Sequence, residues 1–341
     1  MRVLVTGHKG YIGTVMVPML EQHGHTVIGI DSDLYRNSTY GTPPAPVEEI
    51  IKDVRDIEPA DLSGVEAIVS LAALSNDVLG DLNPDVTYEI NHRANVRLGE
   101  MGIDLGIRRF VFASSCSMYG AAGDRVLDES ADFYPVTAYA TSKVWVERDL
   151  SQMATDDFSP TFMRNSTAYG VSPRIRFDVV LNNLSAWAYT TGRVQMKSDG
   201  TPWRPIVHIE DISKAVVAAL SAPREKIHNQ AFNVGINSEN YQIKDLAELV
   251  QQTIPNCEIT FADDAGPDLR NYRVKFDKYN NAFPDFPLQW NALDGARSIY
   301  DSYRRFGLNK DEYEGPKYKR IAQLKELMHS GKVDQTMRWK S

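Results

Sequence analysis

The sequence predicts an α/β protein with a doubly wound parallel (Rossmann) sheet and a smaller C-terminal α/β substrate lobe. Three observations support this fold class. Strand patterns alternate with helical patterns over the first half of the chain, a glycine-rich turn joins the first strand to the first helix, and the alternation loosens after Arg164. We expect a Rossmann domain over residues 1–165 and mainly a substrate-binding lobe over 166–341, with the chain returning to the first domain and ending in a helical extension.

The first half of the chain has the element pattern that a parallel sheet requires. Arg2–Thr6 is a β-branched and apolar strand pattern, Tyr11–His23 is helical, and Thr26–Ile30 is a second strand that ends at Asp31. Because parallel strands need crossover connections, helices should alternate with the strands. Further strand patterns follow at Glu48–Ile51, Ala67–Leu71, Phe110–Ala113 and Thr161–Arg164, and further helical patterns at about Val86–Leu105 and at Tyr139–Met153.

The second half of the chain is more irregular. Its helical segments, Asp178–Thr191, Ile243–Gln252 and Asn291–Phe306, are separated by loops that contain Pro and Gly. From Tyr313 onward the chain is rich in Lys, Glu and Arg, and apolar residues recur at helical spacing. We predict a packed terminal helix there, with no functional role.

Composition and charge exclude several classes of protein. The 341 residues carry a net charge of −8, which disfavours binding to a nucleic-acid backbone or an anionic membrane surface. The two cysteines, Cys116 and Cys257, indicate neither a disulfide framework nor a metal site, and the histidines lack metal-ligand spacing. Since neither a leader pattern nor a membrane-span pattern is present, we expect a cytoplasmic protein.

The turn after the first strand has the pattern of a dinucleotide site. Gly7 allows a tight turn, Gly10 lets the backbone approach a pyrophosphate, and Gly13 allows close helix packing. The pyrophosphate would lie at the helix N-terminus, beside Tyr11 and Ile12. The alternative is a glycine-rich turn that binds no ligand.

An acidic residue ends the second strand. Asp31 follows the glycine turn by about twenty residues, where a carboxylate accepts both hydroxyls of the adenosine ribose and repels a 2′-phosphate. The sequence therefore predicts NAD as the cofactor in preference to NADP.

Two later strand ends complete the predicted cofactor site. Asp53 and Val54 follow the third strand, where a carboxylate and a backbone amide can recognise adenine; a solvated turn aspartate is the alternative. Small residues in Leu71-Ala72-Ala73 suit close passage of the backbone beside a cofactor, although an ordinary core strand also ends in this way.

The predicted helix Tyr139–Met153 carries a pair of side chains with catalytic potential. Tyr139 and Lys143 are one helical turn apart and leave the same face of the helix. A neighbouring cation lowers the pKa of a phenol, so we expect Tyr139 to act as a general base with a lowered pKa. The spacing alone also occurs by accident. Ser115 makes the catalytic interpretation stronger, because it follows the fifth strand at the sheet edge where ligands bind.

These motifs together resemble the extended short-chain dehydrogenase/reductase family. Further segments resemble its NAD-dependent nucleotide-sugar epimerases and dehydratases, namely Asn83-Pro84 followed by Asn91, Arg164-Asn165, Asn182-Asn183-Leu184 and Trp203–Asp211. The resemblance implies a nucleotide-sugar substrate and a homodimer. It also implies cofactor contacts from Asn91, Ser114, Tyr139 and Lys143, and substrate contacts from Ser75, Ser115, Ser117, Asn165, Asn183, Leu184, Arg204 and Arg270.

Within that resemblance, Asn165 and Arg204 are expected at the substrate diphosphate, with Arg270 as a second contact. Arginine suits phosphate oxygens because its fork donates two hydrogen bonds at once. The alternative for Arg204 is a salt bridge to Glu210 or Asp211.

The sequence also departs from the family pattern. Dehydratases of this family carry an acidic pair just after the catalytic hydroxyl residue, whereas Cys116 and Ser117 stand here. Cys116 invites a nucleophile interpretation, but a buried thiol is the simpler one.

We therefore expect an epimerase that oxidises a nucleotide sugar to a transient keto sugar and reduces it again, with NAD regenerated. The alternatives are a keto-sugar reductase or dehydrogenase, a dehydratase, and a non-catalytic NAD sensor.

Overall fold

The computed structural model describes residues 1–75, 77–196, 198–261 and 271–340. Fourteen strands occur in this part of the chain, and seven of them form the central sheet. In chain order the strands are β1 Arg2–Thr6, β2 Thr26–Asp31, β3 Glu48–Ile51, β4 Ala67–Ser70, β5 Arg109–Ser115, β6 Ala121–Leu127, β7 Ser159–Asn165, β8 Thr167–Tyr169, β9 Arg193–Met196, β10 Trp203–His208, β11 Gln230–Val234, β12 Asn240–Gln242, β13 Glu258–Phe261 and β14 Asn271–Val274.

The central sheet is parallel throughout and has the order β11-β7-β5-β4-β1-β2-β3. The order reverses beside β1, which places the glycine turn after β1 at the point where open α/β sheets bind ligands. The predicted fold class is confirmed. Every strand predicted for the first half is present, whereas the edge strand β11 was missed.

Thirteen α-helices accompany these strands within the described ranges. They are α1 Gly13–Gln22, α2 Asp77–Gly80, α3 Pro84–Tyr88, α4 Ala94–Asp104, α5 Ala138–Gln152, α6 Val180–Thr191, α7 Ile209–Ser221, α8 Arg224–Ile227, α9 Ile243–Thr253, α10 Asp277–Ala282, α11 Ala292–Phe306, α12 Lys310–Glu314 and α13 Arg320–His329. None of these helices combines the length and the apolar character that a membrane crossing requires.

Two apolar layers cover the central sheet. On one face, Val3 and Val5 of β1 pack in a core with residues of α1 and α7. On the other face, Leu4 packs in a core with residues of α4 and α5. Neighbouring residues of β1 thus point to opposite faces and both are buried, as the apolar run predicts for a doubly covered parallel strand.

A third core lies outside the sheet and consists mainly of residues from α6, α9 and α11. A fourth core joins α13 to the segments that follow β2 and β4. In this core, Leu324 and Leu327 of α13 pack with Leu34, Leu74 and Leu79. The terminal helix is therefore packed, as predicted.

The predicted single helix Val86–Leu105 is interrupted in the structure. A π-helical turn, Glu89–Arg93, separates α3 from α4. Asn91 lies within this turn, and its side chain bonds to the backbone of Leu74 and to Ser142 instead of leaving a smooth helical face. Single π-helical turns of this kind frequently occur at functional sites.

Candidate active site

One cavity of about 1070 Å³ lies at the carboxyl ends of the central strands, between the sheet and the α6 region. Its wall includes residues that follow β1, β2, β4, β5 and β7. Ligand pockets usually enclose roughly 300–1,000 Å³. The volume of this cavity therefore lies just above the upper end of that range.

The glycine turn forms one wall of the cavity and leaves no room for side chains. Gly7 has φ +75°, and a Cβ there would lie 2.7 Å from the Ala72 backbone nitrogen. A Cβ at Gly13 would lie 2.4 Å from the Gly7 carbonyl oxygen, and one at Gly10 would lie 3.1 Å from it. The turn is thus a tight backbone cradle directly before α1, and Gly10, Tyr11, Ile12 and Gly13 all line the cavity.

Asp31 also lines the cavity, and backbone amides hold its carboxylate in place. Oδ2 accepts a hydrogen bond from Lys9 N at 3.0 Å, and Oδ1 accepts one from Asp33 N at 2.8 Å. Burial raises the pKa of Asp31, against the effect of these two amides. The carboxylate is therefore fixed at the end of β2, where a sugar hydroxyl can reach it.

The third predicted strand end has a different arrangement from the one expected. Asp53 and Val54 line the cavity, but both Asp53 oxygens accept hydrogen bonds from Arg55, at 2.9 and 2.7 Å. Although burial opposes it, this guanidinium keeps the pKa of Asp53 below its usual value. The Asp53 carboxylate is therefore already engaged by a cation.

Asn91 is not among the residues that line the cavity, and its cofactor contact stays a prediction. Its side chain is fully buried, accepts a hydrogen bond from Leu74 N at 2.8 Å and donates one to Leu74 O at 3.2 Å. Leu74 follows Leu71, Ala72 and Ala73, all of which line the cavity. Asn91 thus fixes the backbone of the wall from behind.

Ser115, Tyr139 and Lys143 come together on the wall next to β5. Lys143 Nζ donates to the Ala113 carbonyl at 2.6 Å and lies 5.6 Å from the centre of the Tyr139 ring. Its other ring contact is Phe112, at 4.4 Å. The three side chains of the predicted catalytic set therefore share one corner of the cavity.

The expected lowering of the Tyr139 pKa is wrong for this arrangement. Burial raises it to about 12, against a hydrogen bond from Ser115 and the positive charge of Arg176, while Asp77 raises it further. Burial also lowers the pKa of Lys143 to about 7, against the charge of Glu147. The physical reason is desolvation, which penalises the phenolate and the ammonium alike and which spacing along a helix cannot reveal.

A buried ion pair lies directly behind the catalytic corner. Arg164 Nη2 approaches Glu147 Oε2 at 2.7 Å, and Arg164 Nε lies 3.1 Å from each Glu147 oxygen. Ser114, which lines the cavity, donates to Glu147 Oε1 at 2.6 Å. Glu147 is one turn beyond Lys143 on α5, so the pair ties the catalytic helix to β5 and β7.

Cys116 fits the interpretation of a buried thiol. It is fully buried, its Sγ lies 3.1 Å from the Arg164 carbonyl oxygen, and burial raises its pKa to about 12. A thiol in such surroundings is not a nucleophile.

All but one of the remaining predicted residues also line the cavity. Ser75, Ser117, Asn165, Asn183, Leu184 and Arg204 all contribute to its wall. Ser117 Oγ and Asn165 Oδ1 are buried and have no hydrogen-bond partner among the described residues. Buried polar atoms normally have partners, so these two atoms point to a bound group. Arg270 lies outside the described residues.

Arg204 is buried, and its Nη1 donates to the Trp203 carbonyl at 2.8 Å. The two carboxylates considered as its alternative partners bond to other groups. Glu210 accepts from Trp290 Nε1 at 3.0 Å, and Asp211 accepts from the backbone amides of Gln289 and Trp290.

Sequence reasoning missed two arginines of the cavity wall. Arg176, in the loop before α6, binds Asp178 through two contacts of 2.8 and 3.0 Å and donates to Ser75 Oγ at 2.8 Å. Arg320 begins α13, which corrects the expectation that the C-terminal segment has no part in the site. The charged residues in the run Arg174-Ile175-Arg176-Phe177-Asp178 could have indicated the role of Arg176. No local sequence pattern indicates that Arg320 reaches the cavity.

The described residues contain no group of three or more His, Cys, Asp or Glu side chains that could hold a metal ion. The glycine cradle, the fixed Asp31 and the Ser–Tyr–Lys corner instead define an enzyme that uses a dinucleotide for redox chemistry at a substrate hydroxyl.

The comparison with family models identifies the class more narrowly. The model of the NAD dependent epimerase/dehydratase family matches residues 3–235, and the chain belongs to that family. The predicted NAD cofactor and the predicted class of NAD-dependent epimerase are thereby confirmed.

Individual relatives agree with this assignment. The chain is 30% identical to a UDP-glucose 4-epimerase of Mycolicibacterium smegmatis over 70% of this chain and 78% of the relative. It is 28% identical to the UDP-glucose 4-epimerase of Corynebacterium glutamicum over 74% of this chain and 80% of the relative.

Among solved structures, MoeE5 in complex with UDP-glucuronic acid and NAD has a TM-score of 0.78 and 24% identity, covering 89% of this chain and 99% of that one. The UDP-glucose 4-epimerase of Thermotoga maritima has a TM-score of 0.78 and 21% identity, with the same coverage. At these identities the structures show the shared fold.

Proposed function

We propose that the protein is an epimerase that inverts one carbon of a nucleotide-diphosphate sugar through a transient keto sugar. The observation that carries this proposal is the shared cavity, in which the Ser115, Tyr139 and Lys143 corner and the glycine turn face the same space. In such a cycle the oxidation and the reduction take place in one site, so no redox equivalent is consumed and the net reaction is an isomerisation.

The residues present fit NAD. The cradle formed by Gly7, Gly10 and Gly13 would hold the pyrophosphate, and the Asp31 carboxylate would accept the hydroxyls of the adenosine ribose. When bound, NAD supplies a hydride acceptor and a positive charge at its nicotinamide ring. Val54 and the small residues Ala72 and Ala73 would lie along the rest of the cofactor.

The chain's own residues move the proton. We assign Tyr139 the role of taking a proton from the sugar hydroxyl at its phenolic oxygen and returning it later, with Ser115 donating a hydrogen bond to the reacting oxygen. Since burial holds the Tyr139 pKa near 12 and the Lys143 pKa near 7, the pair needs additional positive charge to form a phenolate. A bound cationic nicotinamide ring would provide that charge.

We propose a UDP-hexose as the substrate, because the relatives named above act on UDP-glucose. In this proposal Asn165 and Arg204 hold the diphosphate, and Asn183 and Leu184 lie against the nucleotide, in the lobe formed mainly by residues 166–341. The orphaned Asn165 Oδ1 and the buried position of Arg204 support these roles. Dehydration is disfavoured because Cys116 and Ser117 offer no carboxylic acid to protonate a leaving hydroxyl.

We also propose a homodimer in the cytoplasm. Both cysteines are free thiols, which suits a reducing compartment. On α5, Leu150 is buried within its own chain, and the Trp145 ring lies against the Tyr88 ring with centres 4.7 Å apart. Light scattering of the purified protein is expected to give twice the mass of one chain; a monomer mass would contradict the dimer.

The reaction test uses the purified protein with the NAD it retains. Incubation with UDP-glucose is expected to produce its C4 epimer, with no change in the absorbance of free NADH. The conversion is followed by proton NMR of the anomeric signals. A stoichiometric appearance of NADH would instead establish a dehydrogenase, and a product lighter by one water in mass spectrometry would establish a dehydratase. A panel of other UDP-hexoses distinguishes a wrong sugar from a wrong reaction.

A further inference from the structure

Three buried arginines lie close together, and two of them, Arg176 and Arg320, line the cavity. Arg174 and Arg176 belong to the loop between β8 and α6, and Arg320 begins α13. Only 5%, 5% and 3% of their respective surfaces are exposed. Buried guanidinium groups require hydrogen-bond acceptors, because an unpaired buried charge is strongly unfavourable.

Arg176 and Arg174 lie beside carboxylates, and the charge of Asp178 also acts on Arg320. Asp178 binds Arg176, and Asp33 Oδ1 lies 3.8 Å from Arg174 Nη2. Arg320 Nη2 donates to the Arg174 carbonyl at 2.7 Å, and its guanidinium lies 4.4 Å from the centre of the Tyr35 ring. Arg320 Nη1 is buried without a hydrogen-bond partner in the described part of the chain.

The position of Arg320 relates it to the cofactor end of the cavity. It lines the cavity together with Tyr11 of the glycine turn and with Ser32 and Tyr35, which follow Asp31. Burial raises the pKa of Tyr11, and the charges of Arg176 and Arg320 oppose that shift, so both guanidinium groups are within electrostatic reach of the Tyr11 hydroxyl.

We propose that Arg320 binds the pyrophosphate of NAD together with the glycine turn, with Arg176 beside it. The C-terminal segment is then part of the cofactor site. The pyrophosphate is the anion expected closest to Tyr11 and Asp31, whereas the sugar diphosphate belongs with Asn165 and Arg204, which line the cavity elsewhere. The proposal rests on the NAD cofactor and is independent of which sugar reacts.

The same segment is anchored over the loop that follows β2. Trp339 Nε1 donates to the Ser32 carbonyl at 2.7 Å, and Arg36 lies 3.8 Å from the centre of the Trp339 ring. Leu324 and Leu327 pack against Leu34 in the fourth core. These contacts hold in place the part of the cavity wall to which Arg320 belongs.

The first test measures cofactor release. Holoenzyme is transferred to NAD-free buffer with an NAD-degrading enzyme as scavenger, and the remaining bound NAD is followed over time. Arg320→Gln is expected to release NAD roughly 10- to 100-fold faster than the unmodified chain, since a hydrogen bond to a charged group contributes about that much to affinity. Lys325→Gln, a matched loss of charge at an exposed position on the same helix, is expected to release NAD at the normal rate. Equal rates for Arg320→Gln and the unmodified chain would overturn the proposal.

The second test separates a pyrophosphate contact from general loosening of the segment. NAD-depleted protein is titrated with adenosine and with ADP-ribose in a calorimeter. Arg320→Gln is expected to weaken ADP-ribose binding while adenosine, which lacks phosphates, binds as before. Equal weakening of both ligands would show that Arg320 has only a structural role.

A third measurement needs no variant and therefore does not depend on whether Arg320→Gln folds. Hydrogen exchange of the unmodified chain over residues 313–329 is expected to slow on addition of ADP-ribose but not of adenosine. Unchanged exchange with ADP-ribose would contradict the proposal. No sugar is present in these experiments, so their outcome is separate from that of the epimerase test.

Discussion

Replacing Tyr139 with Phe is expected to lower kcat for the epimerase reaction by roughly 10²–10⁴-fold, the usual contribution of a positioned acid–base group. The substitution removes only the phenolic oxygen that Ser115 hydrogen-bonds, and the aromatic ring continues to fill the buried corner. The fold and the NAD content should therefore be unchanged. The rate is measured by NMR, and the NAD content by absorbance after denaturation.

Tyr134→Phe is the matched control, because Tyr134 is exposed and lies outside the cavity wall. It is expected to retain the full rate. If Tyr139→Phe also interconverted the sugar at the normal rate, Tyr139 would have no part in proton transfer, and the proposed mechanism would be wrong.

Replacing Glu147 with Gln is expected to cost about 3–5 kcal/mol of unfolding free energy, because the Arg164 guanidinium would remain buried without its counter-ion. The side chains of both partners are only 7% exposed, so solvent offers little compensation. Urea unfolding followed by circular dichroism, with NAD in excess, measures the loss.

The double variant Glu147→Gln/Arg164→Met tests this explanation. Removing the second charge is expected to restore part of the lost stability, giving a non-additive cycle. A single-variant loss below about 1 kcal/mol would show that the pair behaves like an exposed one.

The parts of the site that the sequence revealed are those carried by local patterns. The three glycines, Asp31 and the Tyr139–Lys143 spacing each follow from a few neighbouring residues, because turn geometry and helix periodicity are local properties. The alternation of strands and helices likewise implied the sheet. These predictions needed no knowledge of distant contacts.

The parts that the sequence did not reveal depend on what lies around a residue. Burial decides that the Tyr139 pKa rises, and Arg55 decides that Asp53 is engaged. Asn91 faces Leu74 because a π-helical turn rotates it. Arg320 reaches the cavity only because α13 packs against the loop after β2, a contact between residues almost three hundred positions apart.

Gly7 and Arg320 line the same cavity although they lie near opposite ends of the chain, and this has a consequence for biosynthesis. Ribosomes add roughly 5–20 residues per second, so the glycine turn exists for about 15–60 s before Arg320 has been made. During that interval the nascent chain presents an incomplete cavity to the cell's nucleotides. The site is finished last, when its final wall is translated.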